Sequence, residues 1–272
     1  MKDTTKNKIK VFSLSVFIFT LLTAITRTIC LFAFYESNVG YFRAGFPSVI
    51  VTALYLLGLA LCVCPLFLLP RGRITVNEGF RRHLSFALRC PAVVAFFICG
   101  IIILGNGATQ SIKLDILTGF LCIVSTLYFL FSALSELPRF QDRPNASRPW
   151  VCIVVIAALL LMLSSAYFDM TVNINGPFTT VFLFSLLACA LFLLGEMRLD
   201  IGRPMTRIHF VSGLAAFFLS ASSAIGNLLF CFSGNTGVGK TIADPTRPIL
   251  LLTLSLFVLA RLLSFTVQKQ EN

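Results

Sequence analysis

The chain has 272 residues, of which 57% are hydrophobic and 12% are charged, with a formal net charge of +11 and a mean hydropathy of +0.90. A soluble domain carries about twice this charged fraction, and one globule has too little interior to bury so much apolar side chain. The composition therefore excludes a soluble protein and predicts an integral membrane protein.

Eight segments of the chain are long and apolar enough to span a bilayer. About 20 mostly apolar residues cross the hydrocarbon core, and they do so as helices because lipid cannot satisfy backbone polar groups. The segments are 11–35, 46–69, 83–105, 114–135, 150–168, 178–195, 209–232 and 248–266. They predict an all-α polytopic transmembrane bundle that forms a single membrane domain over residues 1–272, with no soluble domain.

The first segment follows four lysines between residues 2 and 10 and resembles a secretion signal. No A-x-A cleavage site follows it, and the apolar run continues past Arg27 to Tyr35. We expect an uncleaved signal anchor that is also the first spanning helix. Arg27 lies roughly 24 Å along that helix, at about 1.5 Å per residue. This depth predicts that Arg27 extends toward the outer surface or pairs with Glu36.

The distribution of lysine and arginine predicts the orientation of the chain. Of the 22 basic residues, 17 lie near the two termini or near the loops after segments 2, 4 and 6, whereas four lie on the opposite side and Arg27 lies within segment 1. Basic residues are retained in the cytoplasm, so both termini are predicted to be cytoplasmic, in a multi-pass protein of the plasma membrane. Anionic lipids are the expected partners of this face, and no nucleic-acid partner is expected.

Prolines and cysteines mark special positions within the apolar segments. Pro65 and Pro91 lie inside segments 2 and 3, where each removes a backbone hydrogen bond and can kink the helix. The nine cysteines are scattered within or at the edges of the segments, and none forms a C-x-x-C pair. They fit small buried hydrophobic residues better than a disulfide framework. No metal and no cofactor are predicted.

The loops after segments 4 and 6 resemble each other. In each, a glutamate is followed seven residues later by Arg-Pro, then by a second arginine and, two positions further, an aromatic or imidazole ring. The residues are Glu136, Arg143, Arg148 and Trp150 in the first loop, and Glu196, Arg203, Arg207 and His209 in the second. The loop after segment 2 contains only the last part of this pattern, which ends at His83. The pattern predicts three tandem hairpins (segments 2–3, 4–5 and 6–7) between two single helices; the alternative is a chance match between arginine-rich inner loops.

The two glutamates are the leading candidates for a functional role. Each lies where an apolar segment meets the cytoplasmic interface, and each can pair across its turn, Glu136 with Arg143 and Glu196 with Arg203. Together with the second arginine of each loop they form a candidate set of ion pairs that moves during gating. The alternative is that such pairs only fix the loops, where an exposed pair contributes about 0–1 kcal/mol.

Two further groups of side chains have a structural and a functional interpretation. His83, Trp150 and His209 are expected at the headgroup level as interfacial rings, with proton transfer by the histidines as the alternative. Segment 7 is rich in small residues, which favours close helix packing. Within it, Ser220 and Ser223 share about one face with Asn227, by spacings of three and four, and they could instead line a polar path.

A nucleotide-binding pattern occurs at Gly234–Thr241, which reads G-x-x-x-x-G-K-T. Such a loop holds phosphates when it joins a buried strand to a helix. Here it follows a spanning segment, and Pro245 and Pro248 interrupt a following helix. We therefore predict a flexible turn without a nucleotide. The sequon at Asn145 lies in a predicted inner loop and is not expected to be glycosylated.

The patterns of common hydrolases are absent from the sequence, including H-E-x-x-H and G-x-S-x-G. The leading interpretation is a non-enzymatic protein, either a small permease-like carrier or a component of a membrane complex. The carrier interpretation predicts a cavity among segments 2, 3 and 7. One alternative is an accessory or sensing protein with a packed core that docks a partner through its basic cytoplasmic face. Another is an integral membrane enzyme that acts on lipid headgroups through Glu136 and Glu196.

Overall fold

The structure, a computed structural model, describes residues 2–36, 41–42, 45–68, 74–76, 82–110, 112–137, 148–168, 176–203, 207–233 and 245–267. Within these residues the chain forms eight helices. They are α1 (Lys2–Phe34), α2 (Phe46–Leu68), α3 (Arg82–Thr109), α4 (Lys113–Leu134), α5 (Arg148–Tyr167), α6 (Pro177–Asp200), α7 (Arg207–Phe232) and α8 (Thr246–Ser264). Each of the eight contains a stretch long and apolar enough to cross a membrane. The predicted fold class, a multi-pass helical membrane bundle, is confirmed.

The predicted segments agree with the helix bounds to within five residues, except that α1 already begins at Lys2. The end of α6 matters for the site. The helix continues to Asp200, five residues beyond the predicted end, and this extra turn places Asp200 on the same face as Glu196. The chain then turns at Gly202, whose φ of 81° lies in the left-handed region that glycine adopts without strain.

Helices α3 to α8 form a closed ring. Each packs against the next along the chain, and α8 closes the ring by packing against α3 as well as α7. Helices α1 and α2 lie outside this helix ring, where they pack against each other and against α7. As a result α7 and α8 are the most buried of the spans, and the side chains that point into the ring come from six different helices.

The packing does not form all three predicted hairpins. Helices α4 and α5 pack together, as do α6 and α7. Among the described residues, however, α2 packs mainly on α1 and α7, and α3 on α4 and α8. The first predicted hairpin is therefore not a packed unit, and α2, α3 and α7 do not pack as the common group that the expected cavity requires. The shared origin of the other two hairpins stays a prediction.

The closest helix contact joins α3 to α4, and glycines make it possible. A Cβ atom on Gly119 would lie 2.5 Å from the backbone nitrogen of Leu104, and one on Gly107 would lie 2.7 Å from that of Ile116. No side chain fits at such distances, so these glycines allow the two backbones to touch. The contact fixes the start of α3 beside the end of α4, where charged side chains meet.

Two short antiparallel strand pairs lie outside the helices. At one end of the bundle, β1 (Tyr35–Glu36) pairs with β2 (Tyr41–Phe42) directly after α1. At the other end, β3 (Ile74–Val76) pairs with β4 (Phe265–Val267), which joins the connection between α2 and α3 to the segment after α8. We call the end where α1 begins and α8 ends the near end, and the opposite end the far end.

Several sequence features can now be placed. Pro65 and Pro91 lie inside α2 and α3, and both helices continue past them. No disulfide bond joins any of the described cysteines. The Gly234–Thr241 pattern and the sequon at Asn145 lie outside the described residues.

Candidate functional site

A network of buried and partly buried ionisable side chains occupies the near end of the helix ring. Each of the six ring helices, or the residues directly after it, contributes at least one member. The members of this ion network are Arg89, Glu136, Arg148, Glu196, Asp200, His209 and Arg261. Because the members come from helices far apart in sequence, the network fixes the relative positions of all six.

Glu196 is fully buried, with a side-chain exposure of 0%. Arg261 Nε donates a hydrogen bond to its Oε2 at 2.6 Å, and His209 Nε2 lies 3.2 Å from its Oε1. A buried carboxylate is tolerated only when charged or hydrogen-bonding partners compensate its lost hydration. Helices α7 and α8 therefore both supply a partner to one carboxylate on α6.

The position of His209 depends on Gly195. A Cβ atom on Gly195 would overlap the imidazole of His209, so this ring lies directly against the backbone of α6. The ring of Phe192, three residues earlier on α6, lies 5.1 Å from the imidazole, centroid to centroid. The backbone and the aromatic ring together hold the imidazole beside Glu196.

Arg89 forms the second part of the network. Its side chain is fully buried, and its Nη2 lies 2.5 Å from Oε1 of Glu136. Its Nη1 donates to the carbonyl oxygen of Ser132 at 2.8 Å and to the hydroxyl of Ser132 at 3.0 Å. That carbonyl belongs to the last turn of α4, where a positive charge is favourable because the final carbonyl groups lack helical partners.

Arg148 links the second part to Asp200, which lies one turn beyond Glu196 on α6. Its Nε lies 3.3 Å from Oδ2 of Asp200, and its Nη2 contacts the Ser132 hydroxyl at 3.4 Å. With this pair the network holds three arginines and three carboxylates, with the imidazole in addition. The charges therefore balance within the near end of the ring, as a buried network requires.

A layer of aromatic rings lies next to the network. Phe96 contacts Phe129 at 4.5 Å between centroids, and Phe129 contacts Phe257 at 5.2 Å. The guanidinium of Arg89 lies 5.8 Å from the Phe257 ring, and that of Arg148 lies 5.9 Å from the Tyr128 ring. Arginines of the network thus contact π-systems directly, an arrangement that favours the cation.

A second polar group lies at the far end of the same helix ring. Ser165 on α5 donates a hydrogen bond to Oδ1 of Asp115 on α4 at 2.7 Å. Arg247, near the start of α8, contacts the same hydroxyl at 3.5 Å. The ring therefore has ionisable side chains at both ends, with aromatic rings next to those of the near end.

Two ion pairs across the turns were predicted, and the one that can be compared with the structure is wrong. Glu196 pairs with Arg261 and His209 rather than with Arg203, which is exposed after the turn at Gly202. Arg207 donates to the carbonyl oxygen of Leu66 at 3.2 Å, at the end of α2.

The other predicted pair involves Arg143, which lies outside the described residues. Its predicted partner Glu136 contacts Arg89, on a different helix. Of the six residues in the candidate set, Glu136, Arg148 and Glu196 belong to the ion network.

The three interfacial rings do not share one environment. Trp150 and His83 are exposed at the near end, whereas His209 is buried against Glu196. His209 is therefore enclosed by protein beside the Glu196 carboxylate, while its position at the headgroup level stays a prediction.

The predicted polar face of α7 is buried along its whole length. Ser220, Ser223 and Asn227 are all inaccessible. Ser220 donates to the carbonyl oxygen of Ala216, one turn earlier, while Asn227 accepts a hydrogen bond from Arg27 of α1. Arg27 is thus bound to α7, and the expected pair with Glu36 is not among its contacts.

Sequence reasoning missed Arg89, Asp200 and Arg261. Arg89 and Arg261 each lie within a span, and an ionisable residue in such a place is the signal that would have identified them. Both were instead counted as basic residues that set the orientation. Asp200 was missed because the helix was ended one turn too early.

The arrangement gives each carboxylate of the network an arginine partner on another helix. Glu136 and Glu196 are each neutralised by an arginine, and within the described residues no three His, Cys, Asp or Glu side chains lie close enough to hold a metal ion. Eight spans and a buried ion network describe a multi-pass membrane protein. Comparison of the chain with protein-family models, curated proteins and solved structures found no match.

Proposed function

We propose that the protein is a small permease-like carrier whose helix ring encloses a solute path, with the ion network as the gate at the near end. One observation carries the proposal: all six ring helices contribute to one buried, charge-balanced network at one end of the ring. The basic residues concentrated at the near end support the proposal that this end and both termini are cytoplasmic, in a protein of the plasma membrane.

Ion pairs suit a gate because breaking them in water costs little. Each separated charge regains hydration. The buried ion pair and the two separated, hydrated side chains therefore differ little in free energy. Separating packed aromatic side chains instead loses about 25 cal/mol for every Å² of apolar surface exposed. The ion network can therefore open and close, while the neighbouring aromatic layer keeps the helix ring closed on the side away from the near end.

The same aromatic layer favours a second candidate function. A helix ring whose interior holds Phe96, Phe129 and Phe257 suits an accessory protein with a packed core. In such a protein the ion network would only join the helices. The two candidates differ in whether the near end opens when one pair is weakened. The lipid-headgroup enzyme is disfavoured because both of its glutamates are already paired with arginines.

Cysteine alkylation in lipid nanodiscs separates the two candidates. Cys152 is buried on α5, with its thiol 3.5 Å from the Leu193 carbonyl oxygen, and it lies within electrostatic range of Arg148 and Asp200. In a variant that keeps only this cysteine, Glu136→Gln should raise the rate of maleimide labelling at least about tenfold, since roughly 1.4 kcal/mol of opening free energy is a factor of ten.

The matched control keeps only Cys62, which is equally buried but lies on α2, outside the helix ring. A gate predicts that Cys62 labelling stays unchanged when Glu136 is replaced. An unchanged rate at Cys152, or an equal increase at both cysteines, would reject the gate and favour the packed accessory protein.

A further inference from the structure

Arg27 is a buried arginine that has no counter-ion among the described residues. It lies on α1 with an exposure of 1%. Its Nη1 donates to the Tyr55 hydroxyl at 2.6 Å, and its Nη2 donates to Oδ1 of Asn227 at 3.0 Å. No carboxylate of the described residues lies within 4.0 Å of this guanidinium. A full positive charge is therefore surrounded by neutral partners.

Aromatic rings form one side of this site. The guanidinium lies 5.4 Å from the Phe178 ring centroid and 5.7 Å from that of Tyr55. Phe178 in turn contacts Tyr35 at 4.8 Å and Phe230 at 6.0 Å. These contacts stabilise the cation only in part, because a ring quadrupole is a weaker partner than an opposite charge.

Helix α7 supplies the other side. A Cβ atom on Gly226 would lie 3.4 Å from Leu31 and 3.6 Å from Arg27 Cδ, so this face of α7 lies directly against α1. Asn227 is the next residue. Ser223, one turn earlier, is fully buried, and its Oγ has no hydrogen-bond partner in the described part of the chain. Asn227 thus meets the arginine at a helix contact, and Ser223 lies one turn away on the same face of α7.

The hydrogen-bonding capacity of Arg27 is only partly used. A guanidinium has five N–H donors in a planar fork that matches a carboxylate or a phosphate. Two of them are bonded to the neutral oxygens of Tyr55 and Asn227. An intramembrane charge without a partner is costly and marks a functional position. A ligand that brings its own negative charge removes that cost.

We propose that Arg27, together with Tyr55, Ser223 and Asn227, binds an oxyanion, a carboxylate or phosphate attached to an apolar body. The amide oxygen of Asn227 occupies the position beside Arg27 that an oxygen of the anion would take. The apolar body packs against Phe178 and Tyr35. The site is built from α1, α2, α6 and α7 and does not depend on a gate in the helix ring, so it holds for a carrier and for an accessory protein alike.

The ligand has two possible sources, a free solute and a lipid headgroup, and thermal unfolding in nanodiscs distinguishes them. One set of samples uses phosphatidylcholine discs with added benzoate or inorganic phosphate, against chloride at equal ionic strength. The other uses phosphatidylglycerol discs without added anion. Binding should raise Tm by about 2–4 °C in at least one of these sets. A rise with benzoate or phosphate identifies a solute, and a rise with phosphatidylglycerol identifies a headgroup.

Asn227→Asp provides the decisive variant, because it places a carboxylate beside Arg27 without changing side-chain size. It should raise the Tm of the ligand-free protein in phosphatidylcholine and abolish the response to anions. Arg27→Lys, which keeps the charge but loses the fork, should weaken the response at least about tenfold in the midpoint concentration. The proposal is overturned if no probe stabilises the wild type, or if Asn227→Asp responds to anions as the wild type does.

Discussion

Arg89 and Arg27 are arginines buried to nearly the same degree, in opposite halves of the bundle and in opposite surroundings. Arg89 lies 2.5 Å from a carboxylate and belongs to a network in which three arginines balance three acids. Within the part of the chain that the structure describes, Arg27 bonds to a phenol and an amide and to no carboxylate. The two arginines are buried to the same degree, but among the described residues an opposite charge balances the arginine at the near end only.

The difference separates two uses of a buried charge. Where the chain supplies both partners, the ion pair joins helices. Its contribution to stability is measured by the loss of unfolding free energy when one partner is removed. Where the chain supplies only the cation, the compensating charge has to come from outside. The sign of the stability change on removing each arginine therefore tests the comparison directly.

Arg261→Met should give the largest effect. It leaves Glu196 fully buried with the His209 imidazole as its remaining partner in the ion network, and breaking such a pair costs about 3–5 kcal/mol of unfolding free energy. Thermal unfolding in detergent, followed by circular dichroism, measures the loss. The control is Glu196→Leu combined with Arg261→Met, which should recover most of the stability because no unpaired charge remains. A single variant as stable as the wild type would contradict the compensation described for the near end.

Arg27→Met combined with Asn227→Leu should change stability in the opposite direction. Removing a buried charge that has no opposite charge, together with its amide partner, should raise the unfolding free energy by about 1 kcal/mol in a zwitterionic, anion-free detergent. The measurement is the same unfolding experiment, so the two results share one scale. A destabilisation as large as that of Arg261→Met would show that Arg27 is fully compensated by its neutral partners, and the two arginines would then be equivalent.

Arg203→Ala should have the smallest effect. The side chain is exposed and Glu196 has other partners, so a change within about 0.5 kcal/mol is expected, as for most surface substitutions. This variant tests the pairing that the sequence pattern predicted. A loss comparable to that of Arg261→Met would restore Arg203 as the partner of Glu196 and would remove α8 from the network.

The fold could be predicted from the sequence because one physical requirement decides it. Lipid demands long apolar helices, and each of the eight runs satisfies that demand by its own composition. The end of α6 escaped prediction because it is set by a tertiary contact: Asp200 stays helical beside Arg148, a residue that lies on another helix.

The candidate site could be predicted only in part, for a related reason. Glu136, Arg148, Glu196 and His209 were singled out by a local pattern, and all four belong to the network. Their partners were not found, because a pattern within one loop pairs residues that are close in sequence. Glu196 instead contacts Arg261, 65 residues away, which requires knowing that α8 closes the helix ring.

The closure of the ring by α8 has a consequence for biogenesis. Nascent chains emerge at about 5–20 residues per second, so the 65 residues between Glu196 and Arg261 take roughly 3–13 seconds to synthesise. During that interval the carboxylate has been made but its strongest counter-ion has not. A ribosome that stalls before the last helix releases a chain with an uncompensated acid in its membrane segment, and such a chain is recognisable to quality-control proteases as unfinished.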